Sequence, residues 1–185
     1  QQKIFRHSQT KNPKDYLTLA KELNIIDIER ATKVSGSRFG YLKGAAAMLE
    51  FALTDLALKT LTKENFTPVA PPVLINEKSM WGMGYLERGR DEIYYLPADN
   101  LYLAGTSEQA IGPMHMDEVL KAEELPKRYI AFSSCFRREA GSYGKDTKGI
   151  LRVHQFDKVE MFSITRPEDS EKEHQFLLSL QEKLM

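Results

Sequence analysis

One cysteine stands among 185 residues, so Cys135 has no partner for a disulfide and no companion thiolates for a metal cluster. Its place inside an apolar, strand-like run points to a packed core thiol rather than a nucleophile. Net charge is also missing. Lys plus Arg and Asp plus Glu number 26 each, so no global basic field draws the chain to nucleic acid. Any such contact has to be a local patch. The four histidines, His7, His115, His154 and His174, show no ligand-like spacing, and no metal-binding residue is expected. No stretch approaches 18 apolar residues, and Gln1 to Thr10 is polar, so neither a membrane span nor a leader is expected. A soluble, reducing, intracellular setting, cytoplasmic or organellar, fits this composition. Internal repeats and low-complexity tracts are lacking, and the length suits one domain with a real core.

What is present centres on Phe132 to Glu160, FSSCFRREAGSYGKDTKGILRVHQFDKVE. Two apolar runs, Tyr129 to Phe136 and Ile150 to Ile164, flank a loop rich in glycine and charge. Alternate side chains of a strand share a face. Alternation puts Arg152, His154, Phe156, Lys158 and Glu160 on one side of the return run, with Leu151, Val153 and Met161 mostly on the other. Arg137 and Glu139 share a face of the outgoing run. Paired as a hairpin, the runs gather two arginines, two glutamates and an aromatic ring on one surface. At roughly 3.3 Å per residue, Arg152 to Glu160 spans about 26 Å, enough for a polyanion, a flat base and a cation in series. A hairpin with one solvated charged face is the plainer reading of the same pattern. Gly141-Ser142-Tyr143-Gly144-Lys145-Asp146 lacks the spacing of a Walker loop. Phosphate here would meet guanidinium groups on a sheet.

The remainder supplies elements around this hairpin. Gln1 to Pro13 reads as a linker. Helical pattern begins at Asp15, and Asn24 or Asp27 suits the cap of a second turn before Ser35-Gly36-Ser37. Arg38 to Gly44 is short and strand-like. Ala45 to Lys63 is the clearest helix, with Leu49, Ala52, Leu53, Leu56, Thr60 and Leu61 on its apolar face. Phe66 to Ile75 reads as a strand marked by prolines, which belongs at a sheet edge or against another chain. Trp81, Met80 and Met83 are expected anchors in the following loop. Glu92 to Leu96 and Leu101 to Ala104 bracket a turn and predict a second hairpin. Thr106 and Gln109 form the pattern of a capping box for a helix from Ala110, while Thr106 and Glu108 also suit a cleft that pairs with an ammonium group. Pro167, Glu168 and Asp169 open a last helix with Phe176, Leu177, Leu180 and Leu184 as its stripe.

FRREAGSYGKDTKGILRVHQFDKVE resembles the second signature of class II aminoacyl-tRNA synthetases, in its seryl form. GSRFGYLKGAAAMLEFALTDLALKTLTKENFTPVAPPVL resembles the first signature, the helix and edge strand of the class II dimer interface, and GTSE resembles the serine-site loop. The likeness runs from about Val34 to Ile164, and Asp15 to Lys33 resembles the lead-in to that domain. The resemblance implies an α+β (α/β) fold: an antiparallel sheet flanked by helices, with residues 1–33 as lead-in and 34–185 as the first part of the catalytic domain. It implies ATP-dependent activation of L-serine and transfer to tRNA(Ser), with Mg2+ on the phosphates, in a homodimer built through 36–75.

Roles follow position by position from that resemblance. Arg137 bridges the ATP α-phosphate and the serine carboxylate, and is the catalytic residue. Glu139 accepts from the adenine amino group, Arg152 reaches the γ-phosphate, and Phe156 stacks on adenine. Arg138 and the backbone at Val153 complete the nucleotide site. Thr106, Ser107 and Glu108 hold the serine ammonium, with Arg137 on the carboxylate and Glu160 on the hydroxyl. The third signature and the N-terminal coiled-coil arm are not found, so the domain is expected to be incomplete at the C-terminus. A synthetase for threonine or proline and a non-catalytic synthetase-like binding module are the alternatives.

Overall fold

The computed structural model describes residues 13–87, 89–141 and 148–185. The linker-like residues 1–12 and most of the glycine-rich loop, 142–147, lie outside them. Asp15 accepts from the backbone of Leu17 and Thr18 and caps α1 (Tyr16–Glu22). Asp27 closes the short strand β1 (Ile26–Asp27) and caps α2 (Ile28–Ser35) through Arg30 N at 3.0 Å. The donors from Arg30 and the Lys43 ammonium hold the Asp27 carboxyl well below the usual carboxylate range. β1 pairs antiparallel with β2 (Tyr41–Leu42), which ties the lead-in to the segment before the long helix.

That helix, α3, spans Ala45–Thr62. The face it turns inward differs from the one its leucines predict. Ala47, Glu50, Thr54, Ala57, Leu58 and Leu61 are the shielded stripe. Met48, Leu49, Phe51, Leu53 and Leu56 remain more than half exposed. The helix is apolar on nearly every side, so periodicity marked it as helical without choosing its inner face.

The proline-marked segment makes two strands, β3 (Thr67–Val69) and β4 (Leu74–Asn76), which join different sheets. β3 lies at an edge, as prolines require, but it runs parallel to β7 (Lys127–Phe136). The sheet is therefore mixed. β7 then pairs antiparallel with β8 (Gln155–Ile164) along its whole length, from Lys127 opposite Ile164 to Phe136 opposite Gln155. The second sheet is β4-β6-β5. In it β5 (Tyr95–Leu96) and β6 (Leu101–Leu103) form the expected hairpin around Pro97 to Asn100.

Two cores hold these layers. Leu61, Phe66 and Ile130 pack with Leu180 of α6 (Ser170–Leu184), so α3 and α6 cover the β3-β7-β8 sheet. Ile75, Met80, Leu86, Tyr102 and Ala104 form the other, around α4 (Glu77–Gly82). Met80 is fully buried there, whereas Trp81 is half exposed and does not anchor the loop. Cys135 is fully buried, and burial pushes its thiol pKa up. Arg128 of β7 grips Glu173 of α6 at 2.6 and 2.7 Å, and Ser163 of β8 adds a third donor.

Candidate active site

An open cleft of about 930 Å³ lies where the end of the β7–β8 hairpin meets the turn after β6. Phe136 N bonds Ala104 O at 2.8 Å, which joins the ends of the two central strands, β7 and β6, at this point. β7 stops at Phe136, yet the hairpin continues one step, since Arg137 N bonds His154 O at 3.0 Å. Beyond it alternation fails. Glu139 has φ of +53°, and residues 148–154 form bends and turns rather than strand. The shared face predicted from Arg152 to Glu160 is thus a strand only over Phe156, Lys158 and Glu160.

The charged side chains still converge, by a different route. Arg152 Nη1 donates to Glu139 Oε2 at 3.1 Å, and both line the cleft with Arg137, Val153 and Phe156. Arg137 Nε donates to Gly105 O at 3.0 Å, and its guanidinium lies over the Phe156 ring at 5.1 Å. The ring face expected to take a base is covered by a cation here. Arg138 sits apart. It is exposed, stacks over Tyr94 at 5.8 Å, and is not part of the cleft wall.

Thr106 and Glu108 enter from α5 (Glu108–Ile111) and the turn before it. The expected capping box does not form. Thr106 Oγ1 accepts from Glu108 N at 3.3 Å, and Gln109 Oε1 reaches back to Gly105 N at 2.8 Å, so each bond is displaced by one residue. The same Thr106 hydroxyl donates to Glu160 Oε2 at 3.1 Å, and Lys158 Nζ approaches it at 3.0 Å. Lys158 also ion-pairs with Glu160. Ser107 points elsewhere: it is fully buried, its hydroxyl has no hydrogen-bond partner, and it does not line the cleft. Glu160 is also absent from the cleft wall and reaches it only through its bonds to Thr106 and Lys158.

Three lining residues carried no role in the sequence reading. Lys158 was visible by alternation, but only its contacts reveal that it neutralises Glu160. Tyr85 Oη donates to Glu108 Oε2 at 3.1 Å, and burial with the nearby carboxylate pushes its pKa up to about 12. It stays a neutral donor at ordinary pH. Glu92 accepts from Gly141 N at 3.0 Å, and its carbonyl accepts from Arg138 N at 2.8 Å. Nothing in the chain around Tyr85 or Glu92 signals these long-range contacts.

The arrangement separates two chemistries in one cleft. Arg137 and Arg152 present planar donors to phosphate or carboxylate, beside Phe156. Thr106, Glu108, Lys158 and Glu160 form a compact polar cluster suited to a small zwitterion. A second cavity of about 450 Å³ shares Ile150, Val153 and Phe156 with the cleft and is closed by Ala47, Glu50 and Phe51 of α3.

The model for the tRNA synthetase class II core domain (G, H, P, S and T) matches residues 94–184. The serine–tRNA ligase of Corynebacterium kroppenstedtii is 55% identical over 173 residues, which are 94% of this chain and 41% of that protein. The seryl-tRNA synthetase of Pyrococcus horikoshii, solved with ATP, has a TM-score of 0.91 at 43% identity, over 95% of this chain and 39% of that one. The cytoplasmic serine–tRNA ligase of Naegleria fowleri, solved with AMP, has a TM-score of 0.84 at 33% identity, over 90% and 39%. The chain thus spans about 41% of the length of the curated relatives it matches.

Proposed function

We propose, from the premise that the chain belongs to the seryl-tRNA synthetases as a segment of their class II catalytic domain, that the whole protein activates L-serine with ATP and transfers it to tRNA(Ser). The observation that carries this reading is the single cleft joining the Arg137–Phe156–Arg152–Glu139 group to Thr106, Glu108 and Lys158, with Glu160 bonded to Thr106 and Lys158 from behind the wall. Residues 34–185 form the first part of the catalytic domain in this reading, and residues 1–33 lead into it.

In the first step the serine carboxylate attacks the α-phosphorus of ATP and pyrophosphate leaves. Positioning and charge neutralisation are the protein's main tasks. Arg137 is anchored through Nε on Gly105, so its terminal amino groups are the donors that hold the carboxylate against the α-phosphate. Base stacking on Phe156 requires Arg137 to leave the ring, which the arriving phosphate draws it to do. Arg152 exchanges Glu139 for the γ-phosphate, and Glu139 is released to accept from the adenine amino group. Glu108, held by Tyr85, and Thr106 take the serine ammonium, while Glu160 meets the hydroxyl. Mg2+ would arrive on the ATP phosphates and offset their charge. Among the described residues no group of three His, Cys, Asp or Glu side chains is placed to hold it.

Selectivity in this account comes from Glu160. An amino acid lacking the hydroxyl forfeits its hydrogen bond to Glu160, which is left with Lys158 and Thr106 alone. ATP–pyrophosphate exchange by the intact protein over a panel of amino acids tests the proposal. Exchange with serine, and at least about a hundredfold less with alanine and proline, is expected. Exchange with threonine or proline but not serine overturns it.

A further inference from the structure

The return limb of the β7–β8 loop is held from outside the hairpin by a residue to which no role has been given. Tyr16 is the first residue of α1, and its hydroxyl meets the limb 132 residues away. It donates to Lys148 O at 3.3 Å and accepts from Ile150 N at 3.2 Å. One hydroxyl thus spans both sides of Gly149. Gly149 has φ of +81°, and a Cβ there would overlap the Tyr16 hydroxyl and crowd Leu17. The glycine serves two needs, a left-handed backbone and a close approach. The residue after it is fitted as well, since Ile150 Cγ2 lies 2.7 Å from where a Cβ of Gly40 would stand.

The neighbours of this contact give it a purpose. Ile150, Leu151, Arg152 and Val153 follow directly and all line the cleft. They are not in a strand, so no ladder fixes them between Lys148 and Gln155. The other fixed point of this limb is His154, whose N–H donates to Arg38 O at 3.0 Å. Tyr16 and Arg38 therefore bracket Arg152. The outgoing limb has a tie of its own at Glu92, and the Arg137–His154 and Arg152–Glu139 contacts link the two limbs.

We propose that Tyr16 is a positioning residue for nucleotide binding, its hydroxyl clamping Lys148 and Ile150 so that Arg152 is presented to the ATP phosphates. The proposal rests on the reading of the cleft as an ATP site. It couples the lead-in helix to nucleotide affinity, and leaves the serine group of Thr106, Glu108 and Glu160 untouched. A tyrosine ring that merely packs would do neither.

The test is calorimetric ATP binding by the intact protein, with Tyr16→Phe and Gly149→Ala made singly and together. Tyr16→Phe keeps the ring and removes the clamp. It is expected to weaken ATP about fivefold, the loss typical of one backbone-bridging hydroxyl. The KM for serine should stay within about twofold, and the melting midpoint within about 2 °C. Gly149→Ala should weaken ATP at least as much by displacing the hydroxyl, and the double variant should be no weaker than Gly149→Ala alone. Unchanged ATP affinity in Tyr16→Phe overturns the clamp, and so do equal losses for ATP and serine or multiplicative losses in the double variant. ATP binding without serine-dependent exchange would sink the synthetase reading while the Tyr16 comparison still decides the clamp. A wild-type protein that does not bind ATP overturns both.

Discussion

Glu160 keeps company with a cation and a hydroxyl, Lys158 Nζ and Thr106 Oγ1, rather than with open water. Glu160→Gln preserves the shape but replaces one acceptor with a donor facing the Lys158 ammonium. Charge-assisted bonds in such settings are worth about 1.5–3 kcal/mol, so the KM for serine should rise by about ten- to a hundredfold. The KM for ATP should change less than about twofold, and exchange kinetics with each substrate varied in turn would check the split. Equal effects on both would refute this assignment. Phe156, Lys158 and Glu160 were legible from alternation because β8 is regular there. Alternation also grouped Glu139 and Arg152, but a left-handed residue and a bent segment, not a shared strand face, carry them into the cleft. Ser107 was misplaced because four consecutive polar letters do not show which of them a tight helical start turns inward.

At the scale of elements, α6 and the hairpin are joined by a polar contact inside an apolar seam. The Arg128 donors, with Ser163, hold the Glu173 carboxyl below its ordinary pKa. A carboxyl depressed in the folded state stabilises above its unfolded pKa, and that contribution is lost as pH falls through the folded value. Glu173→Gln should therefore destabilise by about 2 kcal/mol at pH 7, less than a fully buried pair because Arg128 keeps its stacking on Phe176. The gap should close below about pH 4. Denaturant midpoints across pH measure it, and a gap independent of pH would contradict the ionic account. Sequence pattern found α6 and its stripe of Phe176, Leu177, Leu180 and Leu184, but could not pair Arg128 with a glutamate 45 residues on. It also read Phe66 to Ile75 as a single strand and gave it no direction, because parallel pairing depends on the path between strands rather than on their residues.

For the whole molecule, the outer face of α3 is an apolar surface left uncovered. Met48, Leu49, Phe51, Leu53 and Leu56 form a run of exposed apolar side chains larger than scattered surface hydrophobes explain. A second copy is the occupant expected from the segment 36–75. Leu53→Asp in the intact protein should shift sedimentation from dimer to monomer, and a monomeric wild type would sink the idea. No described helix is long and apolar enough to cross a membrane. The two cavities meet at Ile150, Val153 and Phe156, which line both. A partner that displaced this common wall from the Phe51 side would alter occupancy of the cleft, and by linkage the cleft's ligand would alter that association to the same degree.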